Sequence, residues 1–443
     1  MRKMSLETEF CGFKLINPFL LAPTPMTASA DMIERAFDCG WAGAVWKTIG
    51  IVSGVARPKV SPRYVALRDD GHDLFGFENI DLGNARSYDD SFLEMERVKE
   101  RFPRHMIVAS IRGESDSKAW QELAVRADQA GADALEAMFS CPHDTEHGSQ
   151  SANENWGRTM GQIAEWIRAV SSLPLTVKMS PNVADMRFQA RIAASCGVTG
   201  VSVANTVRCL GGVDLDTLRP IPTVDGFSTF GGYSGPAIKP IILRFVAELA
   251  SDSQCGVAIS GVGGISSWRD AVEYLLLGAS SLQIGTGAMV YGQRIIDDLL
   301  DGLIQFMVRH EFERVPDLVG ASLPYLVAHQ ELDRQHRVMP QIDLATCSGC
   351  GRCYVACADG GESAIRFGPD RVPAVESETC SGCGLCAQVC PVQGCIDMVD
   401  ARTGSRVPSK DARTAGIEAV GQTNEKARYH RPGETASRTA PHD

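Results

Sequence analysis

The strongest constraint on the fold is a cysteine pattern that occurs twice near the C-terminal end. C347-S-G-C350-G-R-C353-Y-V-A-C357 and C380-S-G-C383-G-L-C386-A-Q-V-C390 are both copies of C-x2-C-x2-C-x3-C. In such runs three thiolates converge on one [4Fe-4S] cubane, and the fourth cysteine ligates the cluster of the other run. The spacing therefore predicts two clusters, the first bound by Cys347, Cys350, Cys353 and Cys390, and the second by Cys380, Cys383, Cys386 and Cys357.

The alternative for these cysteines is a pair of zinc sites. Zinc takes four tetrahedral ligands, usually in two pairs, and the repeated triple of cysteines does not suit it. Nine of the 15 cysteines lie between Cys347 and Cys395. Such crowding favours metal over disulfides in a reducing compartment. Cys395 is left over, and we interpret it as a small buried residue.

Residues 1–310 alternate two patterns. Short apolar runs are separated by segments with helical spacing, and four of those segments end on a glycine that leads into the next run: Gly40, Gly131, Gly197 and Gly278. Glycine suits the left-handed position that ends a helix. Eight strand–helix units predict a (β/α)8 TIM barrel, with a doubly wound sheet as the alternative. The eight apolar runs are F19-L-L-A22, G43-A-V-W46, M106-I-V-A-S-I111, A134-L-E-A-M-F139, L175-T-V-K-M179, G200-V-S-V-A204, V257-A-I-S260 and S281-L-Q-I284.

The domain organisation follows from these patterns. We expect a barrel over 1–310, a helical connector over 311–341 and a small bacterial-ferredoxin-like 2[4Fe-4S] domain over 342–400. Residues 401–443 are polar and charged, which is typical of a disordered tail.

Charge and hydropathy exclude several classes of protein. The net charge of −11 argues against a general nucleic-acid footprint. No apolar run approaches the roughly 20 residues of a membrane span, and the N-terminus lacks the apolar stretch of a signal peptide. We expect a cytoplasmic protein with a small-molecule substrate.

Two glycine-rich loops and two lysines point to a phosphorylated flavin in the barrel. G261-V-G-G264 follows the seventh strand and G285-T-G287 the eighth, where barrels bind phosphate. Lys47 ends the second strand and Lys178 lies in the fifth; an inward lysine needs an anion. The alternatives are tight turns for the glycines and a carboxylate partner, such as Glu136, for the lysines.

The two kinds of cofactor also imply a partner. A flavin converts the single electrons of iron–sulfur clusters into hydride chemistry. No G-x-G-x-x-G fingerprint with its acidic residue about 20 positions on is present, so NAD(P)H should be oxidised by another protein.

Together these motifs resemble the catalytic subunit of bacterial dihydropyrimidine dehydrogenases and the C-terminal half of the single-chain animal enzymes. The similarity covers roughly residues 7–400, and the dihydroorotate dehydrogenases look like more distant relatives. It is carried by L21-A-P-T-P25, W46-K-T48, F77-E-N-I-D81, S140-C-P-H143, V177-K-M-S-P-N182, A204-N-T-V207, G231-G-Y-S-G235, G263-G264 and the double cysteine run.

The resemblance implies an enzyme that reduces the C=C of uracil or thymine, with an FAD-containing, NAD(P)H-oxidising partner subunit in a hetero-oligomer. It implies substrate contacts from Asn79, Ser140, Asn205 and Thr206. It also implies an FMN site formed by Ala22, Lys47, Thr48, Lys178, the loop that includes Gly232, Ser234 and Gly235, and Gly263, Gly264, Gly285 and Thr286.

Cys141 matches the general acid of this family. Hydride addition to a conjugated C=C leaves the neighbouring carbon in need of a proton. A thiol with an ordinary pKa near 8.5 is mostly protonated at neutral pH and can donate one. The alternative for a lone cysteine is a small buried apolar residue.

One position departs from the pyrimidine-specific pattern: Met138 stands where the family has asparagine, and a thioether cannot replace an amide in hydrogen bonding. A different unsaturated cyclic amide or carbonyl substrate is therefore one alternative. A non-catalytic electron-transfer subunit and a dihydroorotate oxidase are two others.

Overall fold

The computed structural model describes residues 4–50, 59–69, 73–81, 86–113, 117–138 and 153–408. Contacts divide the chain into two compact units, Met1–Leu326 and Val327–Asp443. None of the described helices combines the length and the apolar character needed to cross a membrane.

The first unit is a closed barrel of eight parallel strands. The second strand pairs with both the first and the third, which completes the ring and excludes an open, doubly wound sheet. The predicted (β/α)8 barrel is thus confirmed. The barrel strands are Phe19–Leu21, Gly43–Val45, Met106–Arg112, Ala134–Ala137, Leu175–Lys178, Gly200–Val203, Ala258–Gly261 and Ser281–Ile284.

Helices follow the strands in alternation and cover the barrel. The four glycines expected at helix ends all have positive φ, between 77° and 112°. Each starts the short turn that leads into the following strand. The helices are Ala30–Cys39, Tyr88–Arg101, Ser117–Gln129, Asn153–Arg168, Arg187–Ser195, Lys239–Ala250, Trp268–Leu276, Thr286–Tyr291 and Ile295–Arg309, with 3₁₀ turns at Pro25–Thr27 and Pro236–Ile238.

A separate four-stranded antiparallel sheet, which we call the lid sheet, is built from the insertions after the second and sixth barrel strands. Its strands are Tyr64–Arg68, Leu74–Asn79, Val207–Cys209 and Gly231–Ser234. Asn79 lies opposite Tyr64 on one side and Gly232 on the other. Smaller additions are a hairpin of Thr8–Phe10 and Phe13–Leu15, a hairpin of Gly212–Asp214 and Arg219–Ile221, and the strand Ile49–Gly50, which extends the barrel sheet.

The segment expected to be a helical connector, 311–341, contains three short 3₁₀ helices: Val315–Asp317, Leu323–Tyr325 and His329–Glu331. Pro316 and Pro324 are the second residues of two of them, and Gly320 has φ +79° between them. Proline removes a backbone donor, so α-helix does not propagate through this stretch.

The second unit holds the two cysteine runs. Helices Arg352–Gly360 and Leu385–Gln388 each contain the third cysteine of a run. Two antiparallel pairs, Val338–Ile342 with Ile396–Asp400 and Ile365–Phe367 with Pro373–Val375, complete it. Of the predicted tail, 401–408 form a turn and a short extension, and the remainder, 409–443, lies outside the described residues.

Candidate active site and cluster sites

The main cavity of the barrel opens at the C-terminal ends of the strands. Ala22 follows the first strand, Lys47 the second and Met138 the fourth, and all three line the cavity. This is the end at which TIM barrels carry their chemistry. The predicted residues that it brings together are Ala22, Lys47, Thr48, Asn79, Lys178, Asn205, Thr206, Ser234, Gly263, Gly264, Gly285 and Thr286.

The remaining predicted residues are placed differently. Gly232 and Gly235 lie beside the cavity and do not line it. Gly232 has a steric role, since a Cβ there would come within 2.2 Å of the Thr206 hydroxyl oxygen. Ser140 and Cys141 lie outside the described residues.

One end of the cavity is lined by the two glycine-rich loops. Gly263 has φ +143° and Gly264 has φ +69°, values that favour glycine. The Tyr274 hydroxyl donates to the carbonyl oxygen of Gly263 at 2.5 Å and holds this loop. The hydroxyls of Ser234 and Thr286, two residues that line the cavity, are 2.8 Å apart. Two adjacent loops of this kind suit a phosphate group.

Lys178 lies in a buried polar layer inside the barrel. Its Nζ donates to Gln283 Oε1 at 3.0 Å and lies 4.0 Å from Glu136 Oε2. Ser202 Oγ donates to the same carboxylate at 2.6 Å. Burial lowers the pKa of Lys178, and the charge of Glu136 partly opposes this. The predicted alternative of a Glu136 partner is thus present, although Lys178 also lines the cavity.

Lys47 shares one carboxylate with two other cations. Asp81, whose side chain is 3% exposed, lies 3.2 Å from Lys47 Nζ, 3.3 Å from Lys59 Nζ and 3.6 Å from Arg63 Nε. Three cations around one carboxylate leave a surplus of positive charge beside the cavity. Such a wall favours an electron-rich ring or a group that gains negative charge during a reaction.

The lid sheet forms another part of the cavity wall. Tyr64, Phe77, Asn79 and Ser234 share one face of it and line the cavity. The rings of Tyr64 and Phe77 are 5.5 Å apart. Asn79 Nδ2 donates to Gly232 O at 3.2 Å, which fixes the orientation of the carboxamide.

The other face of the lid sheet carries a buried carboxyl group. Glu78 is 0% exposed, and burial raises its pKa while bonds from Cys209 and the backbone of Gly211 and Gly231 oppose the rise. Burial, followed by the charge of Glu78, raises the pKa of Cys209 to about 12. Both groups face away from the cavity.

Several lining residues were not anticipated from the sequence: Tyr64, Gln283, Thr24, Ile265 and Met289. Gln283 had a detectable signal, because it is a polar residue at the centre of an apolar strand. The others lie in loops, at a sheet edge or, for Met289, in the short helix Thr286–Tyr291, and have no such signal.

The barrel site fits FMN by its donor set. Lys47 and Lys178 line the same cavity as the two glycine-rich loops. Asn79 and Asn205 line it as well. The isoalloxazine ring requires cationic or N–H donors at its N1/O2 edge, and its phosphate requires backbone donors.

The eight cysteines of the two runs line two cavities in the second unit. The first cavity is lined by Cys347, Cys350, Cys353 and Cys390, and the second by Cys357, Cys380, Cys383 and Cys386. Each group contains the three close cysteines of one run and the last cysteine of the other. In the described part of the chain, no three His, Cys, Asp or Glu side chains converge closely enough to hold a single metal ion.

The two units match known families. Residues 5–307 match the dihydroorotate dehydrogenase family, and residues 340–398 match the 4Fe-4S dicluster domain. These matches confirm the prediction of an FMN barrel joined to a module for two [4Fe-4S] clusters.

Three relatives extend the comparison. The chain is 40% identical to the NAD-dependent dihydropyrimidine dehydrogenase subunit PreA of Escherichia coli K12, over 91% of this chain and 97% of that one. It is 34% identical to the chloroplastic dihydropyrimidine dehydrogenase (NADP(+)) of Arabidopsis thaliana, over 74% and 79%. It is 33% identical to the catalytic subunit of dihydroorotate dehydrogenase B (NAD(+)) of Pyrococcus abyssi, over 72% and 99%. The chain therefore belongs to the dihydroorotate dehydrogenase family, and within it to the iron–sulfur flavoprotein oxidoreductases of the dihydropyrimidine dehydrogenase type that act on CH–CH groups.

Proposed function

We propose that this protein reduces the ring C=C of a pyrimidine base, converting uracil or thymine to the 5,6-dihydro form. The observation that carries the proposal is the cavity in which Asn79, Asn205 and Thr206 meet Lys47, Lys178 and the two glycine-rich loops. The 40% identity to a dihydropyrimidine dehydrogenase subunit supports it.

The polar residues of the cavity would bind and orient the ring. The carboxamide of Asn79 is fixed by Gly232, and Thr206 N is bonded to Asn205 Oδ1 at 2.9 Å, so these groups are held before the substrate binds. Amides provide both donors and acceptors for the ring carbonyl and N–H groups. Such preorganisation lowers the cost of reaching the reactive geometry.

FMN, when bound, supplies the hydride that saturates the C=C. Lys47 and Lys178 hold positive charge at the site, which favours the reduced, more negative ring. The polar layer of Glu136, Ser202 and Gln283 fixes the position of Lys178.

We assign the proton donor to Cys141. This residue follows Met138 by three positions, and Met138 lines the cavity. A thiol with an ordinary pKa is mostly protonated at neutral pH, which is the state that this step requires. Ser140, the neighbouring residue, is proposed as a substrate contact.

The test is anaerobic turnover of Cys141→Ala with a reducing partner subunit. We expect turnover to fall by about 10² or more, since general acids contribute about 10²–10⁴. The flavin absorption spectrum should stay unchanged. Cys39→Ala, on a helix outside the cavity, is the matched control and should retain activity. Full activity of Cys141→Ala on a reducible substrate would refute the assignment.

Met138 favours a second candidate: the same chemistry on a different unsaturated cyclic amide or carbonyl compound. Its side chain lines the cavity where relatives with pyrimidine specificity would place an amide. Unpaired ring groups cost about 1–3 kcal/mol, or roughly tenfold to over a hundredfold in affinity. A panel of uracil, thymine and unrelated cyclic enones, scored by reoxidation of the reduced flavin, separates the two. Failure of every compound to reoxidise it would favour a non-catalytic electron-transfer subunit.

The electrons are proposed to come from NAD(P)H through an FAD-containing partner subunit in a hetero-oligomer. The Escherichia coli relative is a subunit of an NAD-dependent dehydrogenase, which supports this. The two clusters are proposed to bind at Cys347, Cys350, Cys353 and Cys390, and at Cys357, Cys380, Cys383 and Cys386. The isolated chain should therefore not oxidise NADH, and rapid oxidation by the chain alone would contradict the proposal.

A further inference from the structure

A ninth thiol, Cys395, lies at the first of the two cysteine-lined cavities. It is 1% exposed and lines the same cavity as Cys347, Cys350, Cys353 and Cys390. Its Sγ is 3.6 Å from the backbone oxygen of Asp343, and its backbone N–H and the Cys390 thiol both donate to the backbone oxygen of Val392, at 3.2 and 3.4 Å. The spacing of the cysteine runs assigns Cys395 no role as a ligand.

The second cavity has a different residue in the matching place. After the last cysteine of each run, the chain reaches a strand that begins with isoleucine, Ile365 in one half and Ile396 in the other. The residue before each isoleucine is buried at 1% exposure and lines its cavity: Ala364 in the second and Cys395 in the first. At this matched position the two cavities differ by one S–H group.

We propose that Cys395 is a positioning residue that donates an S–H hydrogen bond to the sulfur of Cys390 and thereby raises the reduction potential of the first cluster. The inference rests on the proposed ligand assignment. Hydrogen bonds to cluster sulfurs stabilise the additional negative charge of the reduced state. The Ala364 backbone N–H donates to Cys357 Sγ at 3.3 Å, but its side chain is only a methyl group, so the second cluster lacks the S–H contribution.

The choice of acceptor follows from charge. In the structure, the Cys395 thiol lies 3.6 Å from the neutral carbonyl oxygen of Asp343, and the sulfur of Cys390 lines the same cavity. When Cys390 binds iron, its sulfur carries negative charge, and hydrogen bonds to charged acceptors are stronger than neutral ones. Binding of the cluster therefore draws the S–H group toward Cys390.

The chain offers a reciprocal experiment. Full-length wild type, Cys395→Ala, Cys395→Ser and Ala364→Cys would be reconstituted anaerobically and titrated with EPR detection. We expect Cys395→Ala to lower one midpoint potential and leave the other unchanged. Cys395→Ser keeps a donor and should hold the potential near that of the wild type. Ala364→Cys should raise the other midpoint potential.

Three outcomes would overturn the inference. Unchanged potentials in Cys395→Ala and in Ala364→Cys, with both clusters loaded, would show that the thiol does not tune the cluster. A potential in Cys395→Ser as low as that in Cys395→Ala would show that the donor is not the cause. Loss of a cluster in Cys395→Ala would make Cys395 a ligand. The titration needs neither substrate nor partner, so a failure of the proposed reaction is a separate result; a wild type that binds no iron would instead refute the cluster assignment.

Discussion

Met138 is the lining residue on which the proposed choice of substrate depends. It is the last described residue after the fourth barrel strand, its N–H donates to Ile111 O at 3.0 Å, and its side chain lines the cavity. A thioether contributes packing but almost no hydrogen bonding. A substrate in this cavity would therefore need other polar lining residues, such as Asn79, Asn205 and Thr206, for its polar ring groups.

Met138→Asn tests this. We expect affinity for uracil to increase by about tenfold to a hundredfold, because an amide can pair ring groups whose loss costs about 1–3 kcal/mol. Equilibrium binding and KM for uracil are the measurements. Met138→Leu keeps the apolar volume and should leave uracil affinity unchanged. An equal change in both variants would assign the effect to packing instead.

The sequence predicts those site residues whose type has few structural uses. It misses residues that reach the site only through pairing with another part of the chain. Paired glycines after strands, lysines inside a barrel and spaced cysteines each have few uses, so their places could be anticipated. Tyr64 reaches the cavity only because it pairs with Asn79 across two short strands. A tyrosine after an arginine carries no local signal for that position.

Among the elements, the glycine loop after the seventh barrel strand offers a matched comparison. A Cβ on Gly264 would lie 2.9 Å from Gly235 O and 3.0 Å from Lys239 N, whereas a Cβ on Gly256 would meet nothing within 4 Å. Both glycines have positive φ, +69° and +57°. The two positions thus separate steric crowding from backbone strain.

We expect Gly264→Ala to lose FMN and to be less stable than Gly256→Ala by about 1–3 kcal/mol, because overpacking adds to the strain. Gly256→Ala should cost only about 1–2 kcal/mol of left-handed strain and retain the flavin. Urea unfolding and flavin content measure both effects. Full flavin content in Gly264→Ala would contradict the assignment of this loop to the phosphate.

His105 precedes the third barrel strand and makes the stability of the fold sensitive to acid. Its ring stacks on Phe37 at 4.5 Å. Burial, aided by the charges of Arg104 and Lys99 and opposed by Asp38, lowers its pKa from 6.5 to about 4. Between these values the unfolded chain binds a proton that the folded chain does not, so stability falls as pH decreases from 6.5 to about 4.

His105→Phe should remove about 1–2 kcal/mol of this pH dependence, a value reduced for the partial exposure of the ring. Urea unfolding at several pH values between 4 and 7 measures it. His329→Gln, at an exposed 3₁₀ turn, is the control and should keep the slope of the wild type. An unaltered slope in His105→Phe would assign the acid sensitivity elsewhere.

The elements with strong apolar runs could be predicted, and those with polar alternation could not. All eight barrel strands were anticipated because each is buried on both faces and reads as a continuous apolar run. The lid-sheet strands are short and partly exposed, as in Tyr64–Arg68, so they resemble loops in sequence. Prolines were the signal against helix in 311–341, since they are the second residues of two of its 3₁₀ turns.

For the whole molecule, the division into two compact units predicts that electron delivery through the clusters and turnover in the barrel can be separated. Cys353→Ala or Cys386→Ala should abolish turnover driven by NAD(P)H and the partner, because a cluster ligand is lost from the second unit. Turnover driven by dithionite should persist, because the barrel site is complete within the first unit.

The measurements are anaerobic turnover with each reductant, iron content and flavin content. Cys255→Ala, a buried barrel cysteine outside the cavity, is the control and should keep both activities. If dithionite-driven turnover also disappeared while FMN remained bound, the steps would not be separable in this way.

The lid sheet has a consequence for how enzymes of this kind diversify. The groups that would hold the cofactor lie mostly on barrel strand ends and on the segment with Gly232, Ser234 and Gly235, whereas Tyr64, Phe77 and Asn79 come from the insertion 59–81. Selection can change these three side chains without replacing a residue assigned to the cofactor. Natural variants that act on other heterocycles should therefore accumulate substitutions in this insertion.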